Sequence, residues 1–262
     1  MRGVPSSRSG GAGPASDARH YSYDVYADPH VAEDFDRKRF GGPIGQLLAE
    51  SQEQVIASFL EPLSGKRVLD VGTGTGRAAI ALARRGADIV AVDASAEMLA
   101  VARRRAAEAK VTVDFKSGDA HGLSFDARSF DAVVCLRVLM HAPDWQQLLA
   151  ELCRVADRGV VFDYPAVMSG AALHSAARRL AHAAGARTEA YRVFSDRAIG
   201  GALHQNGFAV SRLHRQFVVP IAVHKFIGSA SVTMKVERAL AQAGLNWLLG
   251  SPVTVLAERC AS

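Results

Sequence analysis

Asp70, Asp93 and Asp119 each stand at or just past the end of a strand-like run, and a glycine turn follows the first of them. That first run reads Val68-Leu69-Asp70-Val71, then Gly72-Thr73-Gly74-Thr75-Gly76. Glycines let a backbone take positive φ and let a ligand approach closely. The residues Ala78-Ala79-Ile80-Ala81-Leu82-Ala83 predict a helix, whose start offers free N–H groups and a partial positive charge. Gly-x-Gly alone is shared by many nucleotide sites, and two details narrow it. A dinucleotide fingerprint wants its third glycine at position 77, where this chain carries Arg77. The carboxylate of Asp70 would also repel a pyrophosphate. It suits a ligand with a cationic end, such as an amino acid or a sulfonium.

The other two acids extend this ligand. Asp93 lies 23 residues after Asp70, at the tip of the next strand, an offset suited to ribose hydroxyls. Asp119, in Ser117-Gly118-Asp119-Ala120, could accept from the exocyclic amine of an adenine or simply form a turn. Met98, in the first turn of a helix that Ser95 could cap, is either an adenine wall or ordinary core.

Elements must bring these residues together. Strands are expected at Arg67–Val71, Asp88–Val92, Thr112–Lys116, Phe130–Leu136 and Gly159–Phe162, with helices between them. The helix after the glycine turn should stop at Arg84-Arg85-Gly86. Asp144 and Gln147 fit a capping box, and Ser195 should cap a helix running to Asn206-Gly207. A helix is expected over Val167–Ala184, a long strand over Ala209–Val223, and a last strand over Val253–Glu258 that could pair with it. Such an alternation predicts an α/β domain with its ligand beyond the carboxyl ends of the strands, at the switch point.

Upstream, residues 1–20 are rich in Gly, Ser, Pro and Ala and read as a disordered tail. Tyr21, Tyr23, Tyr26, Phe35 and Phe40 precede a helix over Ile44–Leu60. Residues 21–60 are therefore expected to be an aromatic, helical segment that either caps the site or packs on the sheet edge.

A ligand with a cationic amino-acid end, a ribose and an adenine is S-adenosylmethionine. Residues 66–164 resemble the class I S-adenosylmethionine-dependent methyltransferases, most of all the small-molecule group that includes the ubiquinone/menaquinone C-methyltransferases. The resemblance rests on Val68–Gly76, Ala91-Val92-Asp93-Ala94-Ser95, Gly118-Asp119-Ala120 and the stretch from Phe130 through His141. It implies a Rossmann-like, doubly wound, seven-stranded sheet, mostly parallel with an antiparallel last strand. That sheet would fill one methyltransferase domain over 61–262, with an N-terminal helical cap and helical insertions at about 165–206 and 225–250. It implies a cofactor site of Asp70, Gly72, Thr73, Gly74, Gly76, Asp93, Ala94, Met98, Asp119, Ala120, Leu136 and Arg137. Gly72, Gly74 and Gly76 would face the methionine part, Asp93 the ribose, Asp119 and Ala120 the adenine, and Leu136 and Arg137 the methionine side.

Methyl transfer from a sulfonium expels a neutral thioether, so alignment can supply much of the rate. A base is needed only for a hydroxyl or an acidic carbon. His141 is the first candidate, or else a loop-ordering or acceptor-binding residue; Asp163 and Tyr164 are the next. The implied reaction is methylation of a small-molecule O- or C-acceptor, with lipid-like, quinone and secondary-metabolite acceptors all open. The absence of an Asn-Pro-Pro-Tyr-type run after the fourth strand argues against amino methylation of nucleic-acid bases or protein glutamine. An aminopropyltransferase-like enzyme and a non-catalytic S-adenosylmethionine-binding protein remain alternatives on the same fold.

Composition bounds the rest. At 262 residues, 49% apolar and 22% charged, the chain suits one elaborated α/β domain. No apolar run approaches the roughly 18 residues of a membrane span, and no signal-peptide pattern is read. Cys135, Cys153 and Cys260 have neither metal nor disulfide spacing, so a reducing cytoplasm is expected. His204, His214 and His224, spaced by ten, and the pair His174 and His182 secure no metal set. The net charge of +5 reads as a solvated basic face, with no nucleic-acid partner expected. Peripheral membrane contact stays open, through Phe226–Leu249 and the basic charge.

Overall fold

The computed structural model describes residues 40–169 and 191–261. Its seven strands are β1 (Arg67–Val71), β2 (Asp88–Asp93), β3 (Asp114–Ser117), β4 (Phe130–Cys135), β5 (Ala156–Tyr164), β6 (Phe208–Phe217) and β7 (Ser251–Arg259). They form one sheet in the order β3-β2-β1-β4-β5-β7-β6. Neighbours from β3 to β5 pair in parallel, and β7 runs antiparallel to both β5 and β6. This is the expected doubly wound sheet with a reversed last strand. The order reverses between β1 and β4, which leaves a crevice beyond their carboxyl ends.

The described helices are α1 (Gly42–Leu60), α2 (Arg77–Ala83), α3 (Ala96–Glu108), α4 (Trp145–Val155), α5 (Asp196–Gln205), α6 (Ile221–Ile227), α7 (Ala230–Gln242) and α8 (Leu245–Leu249). Alternating strand residues feed two cores, so both sheet faces are covered. Val68, Ile89, Ala91 and Val134 pack with Ile56 and Leu60 of α1 and Leu82 of α2. Leu69, Val90, Val92 and Val133 pack with Leu148, Leu149 and Leu152 of α4 and Leu203 of α5.

Side-chain caps set the helix starts. Ser95 accepts from the N–H of Met98 at 3.1 Å, and Ser195 from that of Ala198 at 3.2 Å. Asp144 accepts from Gln147 N–H at 3.0 Å, but the expected box is not reciprocal: the Gln147 amide donates instead to the His121 carbonyl.

Several boundaries differ from expectation. β5 reaches back to Ala156, which pairs with Phe130 of β4, and on to Tyr164, which pairs with Val253 of β7. The strand expected over Ala209–Val223 stops at Phe217, opposite the first residue of β7. Beyond it the N–H groups of Val218 and Val219 donate to the Glu237 carboxylate at 2.8 and 3.0 Å, and Pro220 opens α6. A sequence run rich in Val and Ile reads as strand, yet the strand ends where its partner ends. The tail, the aromatic segment before Phe40 and most of the helix expected over Val167–Ala184 lie outside the described residues. Residues 167–169 form a turn rather than a helix.

Candidate active site

An open cleft of about 200 Å³ lies beyond the ends of β1, β2 and β4. Of the sequence candidates, Asp70, Gly72, Thr73, Gly74, Asp93, Ala94, Met98, Ala120, Leu136, Arg137 and His141 all line it. Gly76, Asp119, Asp163 and Tyr164 do not.

The turn is built from left-handed glycines: φ is +70° at Gly72, +54° at Gly74 and +81° at Gly76. A Cβ on Gly72 would run into the Val138 side chain at 2.3 Å. At Gly74 a Cβ would meet nothing within 4 Å, because it would project into the cleft. The turn thus leaves its bare backbone for a ligand. Gly76 serves the packing instead, since it starts α2 and sits where a Cβ would meet Ala102 of α3 at 3.0 Å.

Two carboxylates bracket this turn. Asp93 accepts from the N–H of Gly74 at 2.7 Å and of Ser95 at 2.9 Å, which locks its plane. Burial raises its pKa, and the N–H groups of Ser95, Gly74 and Ala94 oppose that rise. Asp70 is 2% exposed and accepts from the Thr73 hydroxyl at 2.7 Å. Burial pushes its pKa up to about 6, with the charge of Asp93 adding to the rise. A buried carboxylate held this high favours any cation that can neutralise it.

The sign of this effect makes a test. The unfolded Asp70 titrates near 3.8, so the folded chain holds the extra proton between about 4 and 6. Stability from this group is full below that window and lost as pH rises through it. Asp70→Asn is therefore expected to gain about 3 kcal/mol of unfolding free energy at pH 7.5 and almost none at pH 4. Urea titrations at the two pH values measure the difference, and equal gains at both would refute the assignment.

The cleft also has walls that the motifs did not announce. Ala49, Gln52, Glu53 and Ile56 of α1 line it, with Phe40 just upstream. Arg77 stands where a dinucleotide site would have glycine. It pairs with Glu53 at 2.8 Å and lies 4.1 Å from the centre of the Phe40 ring, tying the glycine turn to α1. His121 lines the cleft, and its neighbour Asp119 does not. The Asp119 carboxylate accepts from the His121 N–H at 2.9 Å and sits 3.0 Å from its Nδ1. An acid followed two residues later by a side chain that it can orient was the available signal.

Arg137, just past β4, is a non-glycine residue at φ +61°. Its N–H donates to Asp163 Oδ1, and Asp163 Oδ2 accepts from the Gln52 amide at 3.0 Å. Asp163 is 1% exposed and joins α1, β5 and the end of β4. It borders a second cavity of about 250 Å³, lined also by Met140, Tyr191, Phe217, Ile221 and Leu249. Arg137 borders both cavities. Tyr164 is turned away: its buried hydroxyl donates to Asp196 at 2.8 Å, and burial followed by that bond raises its pKa. His141 follows β4, lines the cleft, and has its ring 6.2 Å from that of Tyr191. Among the described residues no three His, Cys, Asp or Glu side chains gather as a metal set.

Residues 68–159 match the family described as "Methyltransferase domain". Over these residues the chain is similar to that family, and its seven-stranded sheet has the class I methyltransferase fold. Curated relatives agree over this part. The ubiquinone biosynthesis O-methyltransferase of Hahella chejuensis is 43% identical over 98 residues, 37% of this chain and 41% of that protein. That of Pectobacterium atrosepticum is 42% identical over 108 residues, 40% and 44% respectively. The chain therefore matches less than half the length of these relatives.

Solved structures extend the likeness in fold beyond the methyltransferase domain. Magnesium protoporphyrin IX methyltransferase from Synechocystis PCC 6803, with bound SAH, superposes with a TM-score of 0.66 at 18% identity. The match covers 91% of this chain and 98% of that one. A [4+2]-cyclase shares the fold at TM-score 0.58 and 19% identity, over 81% of each chain. The same architecture thus hosts different chemistries, and the site must decide the reaction.

Proposed function

We propose that the methyltransferase domain binds S-adenosylmethionine in the glycine-turn cleft and methylates an apolar small molecule, at oxygen or carbon, held in the second cavity. One observation carries this reading. One buried carboxylate, Asp70, and one half-buried carboxylate, Asp93, flank a bare-backbone turn in one cavity, and Arg137 joins that cavity to a second, separately walled one. The group supplies an electrophilic methyl on a sulfonium when bound. Asp70 would balance its cationic end, Asp93 would accept from ribose hydroxyls, and Met98 and His121 would border the adenine. Bare backbone at Gly72 and Gly74 lets the ligand lie close.

The second cavity supports an apolar acceptor, because Met140, Phe217, Ile221 and Leu249 form its walls. His141 would take a proton from an acceptor hydroxyl as the new bond forms. Asp163 acts by position, holding the turn that carries Arg137. Its carboxylate is already engaged by Arg137 and Gln52, so it is a poor base. A quinone-like or other phenolic acceptor fits these walls, and the quinone methyltransferases among the relatives lend that class weight. Three free thiols suit a cytoplasmic setting, and among the described residues no helix is long and apolar enough to cross a membrane.

The test has two steps. Calorimetry should show saturable binding of S-adenosylmethionine. Incubation with a panel of phenols and hydroquinones should then release S-adenosylhomocysteine together with a product one methyl group heavier. No cofactor binding overturns the reading. Binding with no release across oxygen and carbon acceptors favours the non-catalytic alternative.

A further inference from the structure

The insertion α6–α8 is turned inside out. The side chains buried beneath it are polar: His224, Thr233 and Glu237. His224 Nε2 lies 2.8 Å from Glu237 Oε1, and its Nδ1 lies 3.1 Å from the Thr233 hydroxyl. The same carboxylate accepts from the N–H groups of Val218 and Val219, so these helices are held by a closed polar network. The large apolar side chains point outward instead. Phe226 is 93% exposed and Trp247 is 74% exposed, and Ile227, Met234 and Leu248 are exposed too. The guanidinium of Arg215 lies 5.8 Å from the Trp247 ring centre. Apolar exposure on this scale marks a contact surface.

Charge indicates what the surface contacts. Across Ile221–Leu249 the charged residues are Lys225, Lys235, Arg238 and Glu237. Glu237, the one acid, is buried against His224, while Lys235 and Arg238 are exposed. Within these helices exposed aromatic side chains stand with cations and no exposed acid, and the neighbouring Asp196 is neutralised by Arg215, a pattern that matches the boundary of a bilayer that carries anionic lipids. The face also continues into the second cavity, since Ile221, Ala222 and Leu249 line it. We infer that α6–α8 is a docking face for an anionic membrane surface, with Phe226 and Trp247 seated at the headgroup boundary and Lys235 and Arg238 on lipid phosphates. Docked this way, the second cavity adjoins the bilayer, so a lipid-dissolved acceptor reaches it without crossing bulk water. That last step rests on the proposed acceptor site. The docking itself does not, and it is read without cofactor or turnover.

The chain has two tryptophans, so Trp145→Phe leaves Trp247 as sole reporter. Vesicles of phosphatidylcholine mixed with phosphatidylglycerol should shift Trp247 emission to the blue, and phosphatidylcholine alone should not. Co-sedimentation of the full wild-type chain gives the same comparison independently of that variant. Lys235→Gln/Arg238→Gln should weaken binding about 30-fold, at about fivefold for each cation. Phe226→Asp/Trp247→Asp should reduce co-sedimentation to background while the urea unfolding midpoint stays at the wild-type value. Equal binding to neutral and anionic vesicles, or no binding to either, overturns the inference. So does a concentration-dependent dimer that buries Trp247 without lipid, which would assign the face to a second copy of the chain.

Discussion

Gly74→Arg should abolish S-adenosylmethionine binding, with an affinity loss of more than about 1000-fold, equivalent to roughly 4 kcal/mol. Two effects add. At φ +54° any L side chain is strained by about 1–2 kcal/mol. The arginine would also occupy the space into which the missing Cβ points, between Asp70 and Asp93, and its cation would take the place proposed for the ligand's own. Gly74→Ala tests the first effect with little of the second and should cost far less affinity. Gly207 supplies a control, since it has φ +74°, open space around it and no place in the cleft. Gly207→Ala should lower stability by a similar amount and leave cofactor affinity alone. Calorimetry beside urea unfolding separates the cases. Binding of Gly74→Arg within tenfold of wild type would place the ligand elsewhere.

His141→Ala should lower kcat by about 100-fold or more for a hydroxyl acceptor, the usual range for loss of a positioned base. The ring stands at the cleft wall just past β4, beside Tyr191, whose own position borders the second cavity. It is therefore a titratable side chain of the cleft wall next to a residue of the second cavity. Asp163 and Tyr164 offer no substitute, because one is committed to Arg137 and Gln52 and the other to Asp196. The pH–rate profile decides between a chemical and a structural role. In the wild type, log kcat should rise with pH along an acidic limb, and in His141→Ala that limb should vanish. Retention of the limb, or of near-normal turnover, would reduce His141 to an ordering residue.

Local patterns carried much of this protein. Apolar runs ending in Asp70 and Asp93, the spacing of Gly72, Gly74 and Gly76, and the caps at Ser95 and Ser195 were all legible. Each depends on residues within one turn or one strand, where backbone sterics and short-range hydrogen bonds dominate. The seven-stranded, mostly parallel sheet with its reversed β7 followed from the resemblance, while the strand order is set by the tertiary pairing. What the tertiary structure alone decided involves partners far apart in sequence. Gln52 reaches Asp163 across 111 residues, and Asp163 in turn holds Arg137. Glu53 clasps Arg77 across 24 residues and brings α1 into the cleft wall. Asp119 and Tyr164 do not line the cleft: the Asp119 carboxylate accepts from the His121 N–H, and the Tyr164 hydroxyl donates to Asp196. The apolar residues of α6 and α7 have the composition of a core segment, yet the side chains buried there are His224, Thr233 and Glu237, which bond to one another. Sequence determined which residues could bind and react; packing among distant segments determined which of them face the cleft.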